Sequence, residues 1–218
     1  QTNVEIDRLA VEALGMALAG SSKPLVITSG TAMTAFFAPG QMATEDVAPP
    51  VSVPRVAAEE VALSMASRGV RASVVRLPPS VHGDGDQGFI PTLISVAREK
   101  GVSAYVGDGL NRWPAVHRLD AAHLFRLALE RGDPGLRFHG VGDEGVRFLD
   151  IAGAIGRRLD LPLAAIAPEE SASHFGFVGM IASLDCPASS AQTRERLGWV
   201  PTQVGLIGDL EKGHYFDS

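Results

Sequence analysis

Apolar residues recur along the chain in two alternating patterns, one typical of amphipathic helices and one typical of buried strands. The first helical pattern lies in residues 1–20, where Ile6, Leu9 and Ala13 share one face. Two apolar runs follow it, KPLVITSG at 23–30 and RASVVRLPP at 71–79. Their length and β-branched content predict buried strands, and residues 55–67 between them predict a short helix that opens with Arg55.

The same alternation continues to the end of the chain. Further helices are predicted in FIPTLISVAREK, ended by Gly101, and in LDAAHLFRLALER, with Asp120 as its N-cap. The other predicted elements are the helical segments at 146–159, 189–197 and 204–213 and the strands at 102–106, 136–140 and 162–167. Helices that alternate with strands predict an α/β fold with a mainly parallel sheet.

Charge and composition exclude several classes of partner. The net charge of −6 and the absence of a Lys/Arg cluster argue against a nucleic acid or an anionic membrane surface. No apolar run approaches the roughly 20 residues that a membrane-spanning helix needs. The single cysteine, Cys186, excludes an internal disulfide framework and indicates a reduced, cytoplasmic environment, with Cys186 itself an ordinary thiol.

Two glycine patterns resemble a dinucleotide fingerprint but carry the wrong charge. GDGDQG at 83–88 and GVGDEG at 140–145 both match G-x-G-x-x-G. Asp84, Asp86, Asp143 and Glu144 would stand where the pyrophosphate needs positive potential. Both segments are therefore predicted to be turns with helix-capping acids. The histidines show no metal-ligand spacing, and we expect no metal site.

Four segments, in order, resemble the NAD(P)-dependent epimerase/dehydratase type of extended short-chain dehydrogenase/reductase. PLVITSGT looks like the strand and turn that carry the family's catalytic Ser or Thr, and SVVRLPPSVHGDG is similar to its Arg-Pro-x-x-Val-Tyr-Gly segment. WPAVHRLDAAHLFRLALE resembles its His-Val-x-Asp stretch, and TRERLGWVPT its Leu-Gly-Trp-x-Pro. The resemblance implies a Rossmann-like, doubly wound parallel sheet, an NAD or NADP cofactor and a small-molecule substrate.

The resemblance also implies where the site residues lie. Ser29 and Thr31 would be catalytic hydroxyls, with Gly30 on the family's usual Ser position. The implied cofactor-binding residues are Thr28, Gly30, Leu77, Pro78, Pro79, Ser80 and Val81. The implied substrate-binding residues are Asn111, Arg112 and Trp113, where Arg112 is close to the family's phosphate-holding Arg; a simple surface arginine is the alternative.

The family's Tyr-x-x-x-Lys pair is missing. Aligned by the following strand, Arg55 stands where Tyr is expected and Glu59 where Lys is expected. Arginine does not release its proton near neutral pH, so the pair cannot repeat the usual proton transfer. An i,i+4 surface ion pair is the favoured alternative. His82 is a further candidate proton donor beside the nicotinamide, and a structural histidine is its alternative.

The family's opening strands and glycine fingerprint are also missing, so we expect an incomplete Rossmann-like domain with an open sheet edge. Residues 1–80 and 114–142 would form that domain, and residues 81–113 and 143–218 a small α/β substrate-binding subdomain. The predicted function is an NAD(P)-dependent oxidoreductase or epimerase acting on a small carbonyl or sugar-like substrate, as a homodimer. The alternatives are a non-catalytic NAD(P)-binding sensor or scaffold, and a fragment that binds no cofactor.

Overall fold

A computed structural model describes residues 3–50, 52–53 and 55–216. The α-helices are Asn3–Leu18 (α1), Val56–Ser64 (α2), Phe89–Lys100 (α3), Arg118–Arg131 (α4), Phe148–Leu159 (α5), Ser171–Phe175 (α6), Gly179–Ala182 (α7), Ala191–Leu197 (α8) and Leu206–Lys212 (α9). The strands are Pro24–Gly30 (β1), Arg71–Leu77 (β2), Ser80–His82 (β3), Ser103–Val106 (β4), Arg112–His117 (β5), Arg137–His139 (β6), Asp143–Arg147 (β7) and Leu163–Ile166 (β8). Short 3-10 turns cover Thr31–Phe36, Met65–Arg68, Pro168–Glu170, Gly176–Val178 and His214–Phe216.

Strand pairing is mostly parallel and is divided among three small sheets. The first has the order β1-β2-β6, with all pairs parallel. In the second, β5 lies between β3, its parallel neighbour, and β7, its antiparallel neighbour. The third pairs β4 with β8 in parallel. The predicted α/β class with a mainly parallel, Rossmann-like arrangement is confirmed.

The first sheet is covered on both faces, because successive β2 side chains point in opposite directions. Val74 packs in one cluster with Val11 of α1 and Ala58 of α2. Val75 packs in another with Leu124 of α4 and Phe138 of β6. Helices on both faces are what a buried parallel sheet requires, and they explain why this strand is almost continuously buried.

The larger core lies around Trp113 of β5, which is fully buried. Its indole packs edge-on against Phe148 at a centroid distance of 5.0 Å, and Phe148 in turn packs against Phe175 of α6. The Trp113 Nε1–H donates to the carbonyl oxygen of Ile181 at 3.2 Å. This core therefore fixes the short helices α6 and α7 against the second sheet.

Several predicted elements are confirmed, including α3, whose C-cap Gly101 has a left-handed φ of 68°. The predicted first helix is observed from Asn3, and its residues 1 and 2 lie outside the described residues. Two predicted helix starts are wrong. Arg55 precedes α2 as a left-handed N-cap residue with φ 72°. His117, not Asp120, caps α4, since its side chain accepts the Leu119 N–H.

One further sequence prediction needs correction. The second glycine pattern is not a helix-capping turn, because Asp143 and Glu144 open the antiparallel strand β7. Asp120 lies in the first turn of α4, and its carboxylate accepts the backbone N–H groups of Thr202 and Gln203 at 3.0 Å each. A buried carboxylate thus ties α4 to the chain that follows α8.

Candidate functional site

A cleft of about 530 Å³ opens where β1 and β2 end. The two strands run parallel with Gly30 opposite Leu77, so their carboxyl ends meet at one edge of the sheet. This edge is where α/β folds of this type bind ligands. The strand ends and the segment after β2 contribute six lining residues: Ser29, Gly30, Leu77, Pro78, Pro79 and Val81.

Hydrophobic side chains form the remaining wall of the cleft. The 3-10 turn after β1 and the start of α3 contribute Ala32, Met33, Phe36 and Phe89. The segment from α6 to α7 contributes Phe177, Ile181 and Leu184. Sequence reasoning missed all seven. The available signal was FGFVGMIASL at 175–184, an apolar run in which Phe177 and Met180 remain largely exposed.

Among the described residues that line this cleft, Arg55 is the only charged one. Its guanidinium Nη2 donates to the carbonyl oxygen of Thr28 at 3.2 Å and lies 3.5 Å from the Asp7 carboxylate. The side chain is 51% exposed, so these contacts leave it accessible from the cleft. The left-handed backbone at Arg55 and the Thr28 carbonyl together direct the guanidinium toward the strand ends.

Three hydroxyl groups stand at or beside the strand ends. Ser29 is buried, and its Oγ contacts Met33 Sδ at 3.8 Å, a weak acceptor. The Thr31 and Ser80 hydroxyls are buried without a hydrogen-bond partner among the described residues. Neither residue is among those that line the cleft.

Glu59 does not lie at the cleft, and the predicted surface ion pair with Arg55 is wrong. Its carboxylate is fully buried and accepts Arg76 Nε at 2.9 Å, Arg76 Nη2 at 2.6 Å and Arg137 Nε at 3.1 Å. The signal for this cluster was Arg76, a charged residue inside an apolar strand, which requires a buried partner.

The pKa of the Glu59 carboxyl is lowered despite its burial. Burial alone would raise that pKa, but hydrogen bonds and positive charge from Arg76 outweigh it, with smaller contributions from Ser29 and Arg137. Glu59 is therefore a charged structural anchor with no access to a ligand, and its predicted catalytic role is corrected.

His82 also lies away from the cleft. Its ring is buried, and Nδ1 is 2.9 Å from Asp209 Oδ2 of α9. The ring borders a separate polar cavity of about 250 Å³ that His117 and Asp143 also line. The His117 ring packs edge-on against the His82 ring, with 5.3 Å between the two ring centroids. The expected position of His82 beside the nicotinamide is therefore corrected to a buried His–Asp contact between β3 and α9.

The three predicted substrate-binding residues instead hold the cleft wall in place. Arg112 donates from Nε and Nη2 to Asp185, at 2.9 Å each, and from Nη2 to the Gly40 carbonyl at 3.0 Å. Asn111 Nδ2 donates to the carbonyls of Ala182 and Leu184. Trp113 is fully buried. All three act on the segment that supplies Ile181 and Leu184, so direct substrate binding is corrected to positioning.

Other chemical features of the described residues are few. They contain no group of three or more His, Cys, Asp or Glu side chains suited to a metal ion. None of the helices found in them is long and apolar enough to cross a bilayer. Burial raises the pKa of the Cys186 thiol to about 12, so almost no reactive thiolate is present at neutral pH.

Comparison with known proteins gives two relatives that match nearly the whole chain over about 70% of their own length, and no family model matches. The chain is 48% identical over 217 residues to uncharacterized protein C2A9.02 of Schizosaccharomyces pombe, covering 99% of the chain and 73% of that protein. It is 45% identical over 212 residues to uncharacterized protein YLL056C of Saccharomyces cerevisiae, covering 96% of the chain and 70% of that protein. The chain belongs to the family of these two fungal proteins. Solved structures connect this family member to a known fold.

The fold of this family member matches sugar-nucleotide dehydratases. The structure of dTDP-glucose 4,6-dehydratase from Bacillus anthracis in complex with NAD aligns with a TM-score of 0.74 at 17% identity, covering 98% of the chain and 68% of that structure. DesIV, a dTDP-glucose 4,6-dehydratase from Streptomyces venezuelae with NAD and TYD bound, aligns with a TM-score of 0.73 at 19% sequence identity. This alignment covers 98% of the chain and 64% of that structure. RMD from Pseudomonas aeruginosa, complexed with NADPH, aligns with a TM-score of 0.63 at 16% sequence identity. This alignment covers 97% of the chain and 74% of that structure. The predicted resemblance is confirmed for the fold.

Proposed function

We propose that the complete protein is an NAD(P)H-dependent oxidoreductase of the short-chain dehydrogenase/reductase type, and that the strand-end cleft holds the nicotinamide and a small carbonyl substrate. The observation that carries this proposal is the cleft itself. It lies at the carboxyl ends of two parallel strands and combines Ser29, Arg55 and an apolar strip from Leu77 to Pro79. Solved proteins of the same fold bind NAD or NADPH.

The residues present fit the nicotinamide end of such a cofactor. A flat, largely apolar ring matches the wall formed by Leu77, Pro78 and Val81. Arg55 supplies a cation for the ribose and phosphate side of the ligand.

Leu77, Pro78 and Val81 would hold the nicotinamide ring, and a bound NAD(P)H would supply the hydride for the carbonyl carbon of the substrate. Ser29 donates a hydrogen bond to the substrate oxygen, because its hydroxyl can rotate away from Met33 Sδ and from Glu59. A proton from solvent completes the alcohol, so the reduction uses one hydride and one proton.

The buried ion cluster contributes by positioning. Glu59 of α2 binds Arg76 of β2 and Arg137 of β6, and this contact fixes the start of α2 over the sheet. Arg55 immediately precedes α2, so its place at the cleft depends on that contact. In this proposal Glu59 never meets the substrate.

Steady-state kinetics with a Ser29→Ala variant test the proposal. With a panel of aldehydes and ketones, we expect the variant to lose about tenfold to a hundredfold in kcat/KM while the NAD(P)H dissociation constant stays unchanged. Ser73→Ala is the matched control, since Ser73 is a buried hydroxyl of β2 that does not line the cleft. Equal loss in both variants would contradict the role of Ser29. NAD(P)H binding without turnover would favour the sensor or scaffold alternative.

Two further expectations from the sequence remain proposals. Homodimerisation through the α1–α2 side is supported by Ile6, Leu14 and Met16, large apolar side chains of α1 that remain exposed. Light scattering of the purified protein tests this, and an Ile6→Glu variant should shift the mass to that of a monomer.

A cytoplasmic location, expected from the single cysteine, also stays a prediction.

A further inference from the structure

The wall of the cleft opposite the strand ends is hydrophobic. Phe36, Phe89, Phe177, Ile181 and Leu184 come from three separate parts of the chain and converge on this wall. Sugars present many hydroxyl groups, and burying them requires side chains that donate and accept hydrogen bonds. This wall supplies none, so its chemistry suits an apolar ligand surface.

The arginine best placed to hold a phosphate is already neutralised. Arg112 Nε and Nη2 both donate hydrogen bonds to the Asp185 carboxylate. The backbone N–H of Arg112 donates a third hydrogen bond to the same carboxylate at 2.8 Å. The side-chain hydrogen bond from Arg112 lowers the pKa of the Asp185 carboxyl, which keeps the pair charged and closed. A sugar nucleotide carries a diphosphate, and its binding requires free guanidinium or ammonium donors. Here the described lining offers Arg55 alone.

Large apolar side chains at the same cleft remain in contact with solvent. Phe177 is 74% exposed although it lines the cleft, and Phe36 is 53% exposed. Exposed apolar surface that rims a cavity is characteristic of a ligand-binding site, because a hydrophobic ligand removes that surface from water. Phe177 lies in a 3-10 turn between the short helices α6 and α7.

We propose that the substrate is a neutral, hydrophobic aldehyde or ketone with an aryl or alkyl group, and not a sugar nucleotide. This inference rests on the proposed function, since it names the compound that accepts the hydride in the same cleft. The apolar group of the substrate packs against Phe177, Ile181 and Leu184, while its carbonyl oxygen faces Ser29. Carbonyl reduction then needs one hydride and one proton, with NAD(P)H as the reductant.

The test compares substrate classes with the complete protein. NAD(P)H consumption is measured with benzaldehyde, 4-phenylbutan-2-one and nonanal, and binding of dTDP-glucose and UDP-glucose is measured separately by isothermal titration calorimetry with NAD(P)⁺ present. We expect turnover of the hydrophobic carbonyls and no binding of either sugar nucleotide. Truncation in Phe177→Ala should lower their kcat/KM by about tenfold, as expected for loss of a buried aromatic contact. Met180→Ala is the matched control, because Met180 is exposed in the neighbouring helix but does not line the cleft, and it should change kcat/KM less than about twofold.

The outcomes separate the two proposals. Binding or turnover of a sugar nucleotide, or NAD(P)H binding with no response to any hydrophobic carbonyl, overturns the substrate class and leaves cofactor binding intact. Equal effects of Phe177→Ala and Met180→Ala also overturn it. Failure to bind NAD(P)H at all overturns the proposed function itself.

Discussion

Glu59 and Arg76 form a fully buried ion pair with two parallel hydrogen bonds, Nε to Oε1 at 2.9 Å and Nη2 to Oε2 at 2.6 Å. The pair joins the first turn of α2 to the carboxyl end of β2. Arg137 of β6 adds a third hydrogen bond, and Arg76 Nη1 donates to the Val47 carbonyl at 2.8 Å. One buried carboxylate therefore ties together a helix, two strands and the loop before α2, all next to the candidate site.

Removing this carboxylate should strongly destabilise the protein. Glu59→Gln leaves two arginine side chains without their buried counter-charge, and we expect a loss of about 3–5 kcal/mol in the free energy of unfolding. Urea denaturation followed by circular dichroism measures it. Glu60→Gln is the control, because Glu60 is an exposed neighbour that binds only Arg137 and should cost less than about 1 kcal/mol. Similar losses in the two variants would contradict the anchoring role.

His139 should make stability depend on pH. Burial lowers the pKa of this imidazole to about 4 from an ordinary 6.5. Between these two values the unfolded chain binds a proton that the folded protein does not. The free energy of unfolding is therefore greatest above pH 6.5 and falls as the pH is lowered toward 4. Below pH 4, His139 causes no further decrease. The full effect is about 3 kcal/mol for the shift to about 4.

A His139→Gln variant tests that pH dependence. We expect urea titrations of the variant to show a flatter dependence of the unfolding free energy between pH 6.5 and 4 than the natural protein shows. His123→Gln, at an exposed position of α4, should keep the slope of the natural protein. An unchanged slope in His139→Gln would show that other groups cause it.

His82 should matter for stability and not for cofactor binding. Its contact with Asp209 Oδ2 at 2.9 Å links β3 to α9 in the core, while the strand-end cleft is lined by other residues. We expect His82→Gln to lower the melting temperature by several degrees while NAD(P)H affinity stays within about twofold. A large loss of affinity with unchanged melting temperature would instead support the sequence-based assignment of His82 to the site.

The helices and strands could be predicted from the sequence because the residue patterns that specify them are local. Apolar runs such as 71–77 marked buried strands, and Gly101 marked the end of α3 with a left-handed residue. The position of Arg55 was harder to predict. Spacing of four residues from Glu59 suggested an exposed helical pair, but α2 begins one residue later, and burial assigns Glu59 to Arg76 instead.

Part of the cleft lining follows from the strand ends that the sequence predicts. Ser29, Gly30 and the segment from Leu77 to Val81 follow strand ends, whose meeting at one sheet edge is a consequence of parallel pairing. Phe177 and Ile181 come from short helices with no clear period, and their approach to the cleft depends on tertiary packing around Trp113. Long-range hydrogen bonds, such as Arg112 to Asp185, likewise leave no trace in local spacing.

Fluorescence titration of the complete protein with NADH and NADPH tests the central claim most directly. Three forms are compared: the natural protein, Arg55→Ala, and Arg126→Ala, whose arginine forms an exposed ion pair on α4. The account predicts saturable binding by the natural protein and by Arg126→Ala, and binding about tenfold weaker by Arg55→Ala. Absence of saturable binding to the natural protein, or equal affinity in all three forms, would contradict it.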